Sequence, residues 1–167
     1  MGLFSPTYEG AVDLEAVPAD FTTRMALRIK SGLLVPGSRR RANYAVREES
    51  PDAISFAAVG FWTAYAIGLN DVELRRAASN RIDYHGSFRR WATYAVIHSF
   101  LLTGLVLVVI LALPSAREQV AQTAWGWPFL IALLAFFGLA WPWLLVEIHR
   151  RVVPRSLERI VREVAAA

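Results

Sequence analysis

Two uninterrupted apolar runs, residues 91–113 and 125–146, stand apart from the rest of the chain. Neither contains an Asp, Glu, Lys or Arg. A helix needs roughly 20 residues at ~1.5 Å rise to cross a ~30 Å hydrocarbon core. A charge at mid-bilayer costs at least about 2.5 kcal/mol, so its absence across both runs is informative. The pattern predicts a transmembrane helical hairpin over 91–146, its spans joined by a short loop at 114–124.

Shorter periods precede the runs. Phe21, Met25, Ile29 and Leu33 recur on one helical face, with Asp20 placed to cap the helix and Pro36-Gly37 to end it. From residue 42 the period changes. Residues 43–48 and 54–59 read as strands split by Ser50-Pro51-Asp52, and 71–77 with 81–88 as a hairpin about Ser79-Asn80. In that hairpin Val72 and Leu74 share one face, as do Ile82, Tyr84 and Phe88. Residues 61–70 fit neither period; Phe61, Trp62 and Tyr65 suit a core or a membrane interface equally. Residues 147–167 read as a charged tail. From Pro154 it forms a short helix striped by Leu157, Ile160, Val161 and Val164. Residues 1–20 carry Glu9, Asp13, Glu15 and Asp20 without a basic residue, and read as a flexible acidic arm.

The expected fold is therefore a membrane protein: a two-helix transmembrane hairpin with a small α+β cytoplasmic domain. That domain, residues 21–90, holds one amphipathic helix and a sheet of three or four antiparallel strands. It lies between the arm at 1–20 and the hairpin at 91–146, and the tail at 147–167 follows.

Charge sets the orientation. Arg89 and Arg90 abut the first run, and Arg150, Arg151 and Arg155 follow the second. The loop between them holds only Arg117, beside Glu118. The positive-inside rule then puts both termini in the cytoplasm. Lys30 is the single lysine among 18 basic residues, in a chain rich in Ala and Val. That bias resembles a high-GC bacterial genome and suggests a bacterial inner membrane. The first residues show no basic, then apolar, leader, so the first span is expected to direct insertion itself. Trp91 and Tyr94, Trp125 and Trp127, and Trp141 and Trp143 sit near the ends of the runs. With Arg89, Arg90, Arg150 and Arg151 they are the expected interface anchors.

Residues 21–47 are basic without an opposing acid. Arg24, Arg28, Lys30, Arg39, Arg40 and Arg41 are the expected contacts to anionic lipid or a soluble partner. The helix carrying the first of these fits the membrane surface and fits packing on a sheet. Because the basic clusters flank apolar runs, lipid headgroups rather than nucleic acid are the expected counter-charge.

Within the spans, Ala95, Ser99 and Thr103 recur at four-residue spacing, and Ala132, Ala135 and Gly138 at three. Small residues so placed let helix backbones approach closely, either within the hairpin or against another subunit. Pro142 deprives the Gly138 carbonyl of its helical partner and predicts a kink. His98 is the one histidine inside a span, hence a candidate intramembrane polar contact. Glu147 is expected to pair with Arg150 or Arg151.

Signs of catalysis are missing. No phosphate-binding glycine loop, HExxH, GxSxG or calcium-loop pattern occurs, and there is no cysteine. His85 near Asp83, and Asp71 with Glu73, read as solvated strand faces. No metal or cofactor is expected. The chain reads as a non-catalytic accessory or tethering subunit, associating with other membrane subunits or with itself. A redox or quinone-linked role through His98, and a small lipid-binding module, are the alternatives.

Overall fold

In the computed structural model, residues 6–32, 34 and 42–167 are described. The described chain contains strands β1 (Thr7–Asp13), β2 (Tyr44–Glu49), β3 (Ala53–Ala58), β4 (Asp71–Ala78) and β5 (Arg81–Ser87). Its helices are α1 (Phe21–Lys30), α2 (Phe61–Ile67), α3 (Arg89–Ala112), α4 (Pro114–Gln122), α5 (Gly126–Ala135) and α6 (Trp141–Ala166). A π-helical turn, Phe136–Ala140, joins the last two. The chain divides into two compact units. One holds the residues up to Trp91 together with Ile148–Ala167; the other is Ala92–Glu147.

The first unit is built on a five-stranded sheet, order β1-β5-β4-β3-β2, antiparallel throughout. The expected three or four strands become five because the acidic leader is not an arm. Thr7–Asp13 pairs with Arg81–Ser87 along its whole length. Alternation explains why: Tyr8 and Val12 are buried while Glu9 and Asp13 face outward. The strand is half apolar, and the acids merely occupy its wet face.

One sheet face is covered. Val12, Ile54, Phe56, Val72, Leu74, Ile82 and Phe88 supply its buried residues. Phe21, Met25 and Ile29 of α1 meet them, with Val153, Leu157, Ile160, Val161 and Val164 of α6. Complete burial of a Leu or Ile side chain contributes roughly 1.5–3 kcal/mol, so these α6 residues hold the C-terminal helix firmly. The expected tail helix does not begin at Pro154. Pro154 lies inside α6, which runs through it to Ala166. An interior proline costs about 3 kcal/mol, which the burial on either side of it offsets. Arg28 to Glu163 (2.7 Å), Tyr84 Oη to Glu158 Oε1 (2.9 Å) and Arg162 to the Asp13 carbonyl (3.0 Å) add polar ties.

Two glycines make room for this core. Gly10 lies opposite Tyr84, and Gly86 opposite Tyr8. A Cβ on either would collide with the facing tyrosine ring.

In the second unit, the segments bearing the apolar runs are α3 and α5 through α6. These two helices are long and apolar enough to cross a membrane. The loop expected between them is largely the helix α4, started by Pro114 at its first position. The predicted break at Pro142 takes the form of the π turn, where the Trp141 N–H donates to the Phe136 carbonyl, five residues back. Widening one turn fits a proline that cannot donate.

Candidate functional site

The basic helix α1 is turned toward the protein. Its apolar face is packed on the sheet, and two of its cations are engaged. Arg24 Nε lies 2.8 Å from Asp20, whose carboxyl is held below its ordinary range by that hydrogen bond. Arg28 is bound to Glu163. Asp20 thus serves Arg24 and makes no side-chain cap to the helix. Lys30 remains exposed. Arg39, Arg40, Arg41 and Leu33 lie outside the described residues, as does the expected stop at Pro36-Gly37.

The ends of the two long helices that belong to the first unit meet in an aromatic stack. The ring of Trp91 lies on that of His149, centroids 3.7 Å apart and 6° from parallel. Phe88 closes one side at 5.8 Å from His149. Trp91 is 8% exposed and packs on His149 and Phe88. Its place on the first helical turn, beside Phe88, turns it inward.

Asn70 holds this corner together. It is wholly buried. Its Nδ2 donates to the Ala64 carbonyl at 2.9 Å, and its Oδ1 accepts the Trp91 N–H at 2.8 Å. One side chain thus satisfies an N–H in the first turn of α3, which has no carbonyl partner within the helix, and ties α2 to that turn. Arg90 donates to the Asn70 carbonyl at 3.1 Å and lies 3.8 Å from Asp71, which also pairs with Arg47 at 3.1 Å. Gly68 ends α2 in the left-handed region at φ 77°, and any Cβ there would collide with His149. Sequence reasoning passed over Asn70 and Gly68. The Gly-Leu-Asn step between an apolar segment and a strand was their only signal.

The remaining anchor residues are distributed as follows. Trp125, Trp127 and Trp143 are exposed; Tyr94 and Trp141 are half-buried. Arg89 and Arg151 are exposed, and Arg150 is half-buried.

Within the second unit, Ala95 and Ser99 are buried and Thr103 partly so. A Cβ on Gly138 would stand in ordinary contact with Thr103, 3.5 Å from its methyl. Ala132 and Ala135, by contrast, are exposed. The less exposed positions from Leu130 to Val146 are Leu130, Leu134, Gly138, Trp141, Pro142, Leu145 and Val146. His98 is exposed on α3.

The outward sheet face is polar. His85 Nδ1 lies 4.0 Å from Glu9, and Asp83 binds Arg81 at 2.9 Å. Glu73 stands opposite His85 in the ladder. Among the described residues no group of three or more metal-ligating side chains is placed to hold an ion. Compared with protein-family models, curated proteins and solved structures, the chain matches none.

Proposed function

We propose that this protein is a non-catalytic accessory or tethering subunit of a bacterial inner membrane, with both termini cytoplasmic. Its two apolar helices cross the bilayer, and its sheet domain stands on the cytoplasmic side to meet a partner. The observation that carries this is the exposure of the long helices. Only 11% of the apolar window of α3, and 22% of that in the α5–α6 segment, is buried. A core helix of a soluble protein would be mostly covered. Leu101, Val108, Ile131 and Leu139 are instead more than half exposed. Contiguous apolar surface on that scale calls for lipid or for other apolar helices.

Support for a binding rather than catalytic role comes from the charged groups. Arg24, Arg28, Arg47, Arg81 and Arg90 pair with carboxylates of this chain. Anionic headgroups at the cytoplasmic surface suit the basic residues that flank the apolar runs in the sequence. Other membrane subunits, or a second copy, are the partners that the exposed helix faces fit. The alternative redox or quinone role for His98 gains from its exposure on α3, since a cofactor held elsewhere can reach an exposed imidazole.

Purification in mild detergent followed by native mass measurement tests the proposal. The expected result is a species heavier than one chain, carrying a second copy or a co-purifying membrane protein. A bare monomer without retained lipid or partner contradicts it. A haem or flavin absorption lost in His98→Ala would transfer the assignment to the redox reading.

A further inference from the structure

The sheet ends in two unlike edges, β1 and β2. The β2 edge is blunted. Its register shifts between Val46 and Glu48, and Arg47, Glu48 and Glu49 are exposed. A bulge and a run of charges are common guards against a further strand. The β1 edge has no such shift. It pairs without a break from Thr7 to Asp13 and holds neither proline nor lysine.

Hydrogen bonding fixes which backbone groups of β1 are open. The Phe88 N–H donates to the Pro6 carbonyl, and the Leu14 N–H to the Asn80 carbonyl, each at 2.8 Å. Alternation along an antiparallel ladder then turns the backbone of Tyr8, Gly10 and Val12 toward β5, and that of Glu9, Ala11 and Asp13 away from it. The Asp13 carbonyl is taken by Arg162 at 3.0 Å. The N–H and C=O of Glu9 and Ala11 meet no partner among the described residues. Unpaired edge groups of this kind are a template for another strand.

Charge selects the occupant. Glu9, His85 and Glu73 form one row of the outward face, with two carboxylates and no arginine. The Glu9 side chain is 66% exposed. Asp13 stands opposite Arg81, which is itself bound to Asp83 at 2.9 Å. An antiparallel second copy added here would bring Glu9 and Asp13 of both chains onto one face, where like charges are destabilising. A strand with Lys or Arg at alternate positions meets the same carboxylates favourably. Its intervening side chains fall on the face of the buried Tyr8 and Val12 and suit apolar residues.

We propose that β1 is a docking edge, which accepts an extended segment of a partner protein in which Lys or Arg alternates with apolar residues. Resting on the accessory reading above, this gives the chemistry of the partner that the sheet domain meets. Backbone hydrogen bonds at Glu9 and Ala11 supply affinity, and the Glu9 and Asp13 carboxylates supply the choice of sequence.

A labelled peptide, Lys-Val-Lys-Thr-Lys-Val-Lys, tests this on the full-length protein in neutral detergent. The peptide should bind, and Glu9→Lys should weaken it by about fivefold or more. Amide exchange at Glu9 and Ala11 should be fast without peptide and slow by about tenfold with it, while Tyr8 and Gly10, already bonded to β5, stay protected in both. Absence of binding overturns the proposal. So does affinity unchanged in Glu9→Lys, or binding that leaves exchange at Glu9 and Ala11 as it was, which is charge attraction elsewhere. Slow exchange at those two amides before peptide is added means that the edge is covered, by a second copy or otherwise, and overturns it too. Native mass measurement keeps the two readings apart. A co-purifying protein together with any of these failures removes the docking edge alone, whereas a bare monomer removes the accessory reading and the partner role of the edge with it.

Discussion

Trp91 and His149 lie ring on ring, 3.7 Å between centroids, although 58 positions separate them in the chain. Trp91 directly precedes the unit Ala92–Glu147, and His149 lies two positions after it. Stacked aromatic pairs contribute about 0.5–1.5 kcal/mol beyond the area they bury. Trp91→Ala and His149→Ala should each lower the melting temperature in detergent. The double variant should lose less than the sum, by a coupling of about 0.5–1.5 kcal/mol. Additive losses would show that the stack contributes nothing of its own.

Asn70 should be among the least replaceable side chains. Asn70→Ala leaves the Ala64 carbonyl and the Trp91 N–H without their partner, at roughly 1–3 kcal/mol for each buried group. Thermal melts should show the loss. Hydrogen exchange at the Trp91 amide should rise by at least tenfold. An unchanged exchange rate would mean that this bond does not hold the start of α3.

The glycines opposite tyrosines predict an asymmetry. Gly86→Ala collides with the Tyr8 ring and Gly10→Ala with the Tyr84 ring. Overpacking of this kind typically costs about 1–3 kcal/mol. Gly104→Ala, where a Cβ meets open space, should be neutral or mildly stabilising. Melting curves of the three variants decide it; equal behaviour would contradict the register of β1 on β5.

Alkaline pH should weaken the sheet domain. Burial, then the hydrogen bond to Glu158 and its charge, push the Tyr84 phenol up to about 12. Burial also raises Tyr8 and Tyr44. An unfolded phenol loses its proton near 10. Below that value both states are protonated and the contribution is constant. Above it the unfolded chain ionises first, so stability falls as pH rises toward 12. Glu158→Gln removes the carboxylate's share and should bring the Tyr84 phenolate absorbance in at lower pH. No displacement of that titration would show that the Tyr84–Glu158 contact is not made in solution.

The elements that were legible in the sequence are those whose pattern is local. The β4–β5 hairpin carries alternating Val72, Leu74, Ile82 and Tyr84, and the apolar runs need only counting. The first strand was hidden because Glu9 and Asp13 suggested solvent. Its apolar half, Tyr8 and Val12, acquires meaning only beside Gly86 and Ile82. Pro154 suggested a helix start, while burial of residues on both sides of it carries α6 through. The basic, apolar-striped pattern of α1 fitted both a membrane surface and packing on a sheet. Its arginines are claimed by Asp20 and by Glu163, the latter 135 positions away, a distance no local window spans. The Asn70 corner was invisible for the same reason.

The central claim is that the apolar runs, residues 91–113 and 125–146, lie in a bilayer. Alkaline carbonate washing of membranes from cells expressing the full chain tests it most directly. The protein should stay in the membrane pellet and leave it only with detergent. Its recovery in the carbonate supernatant, without detergent, would contradict the account.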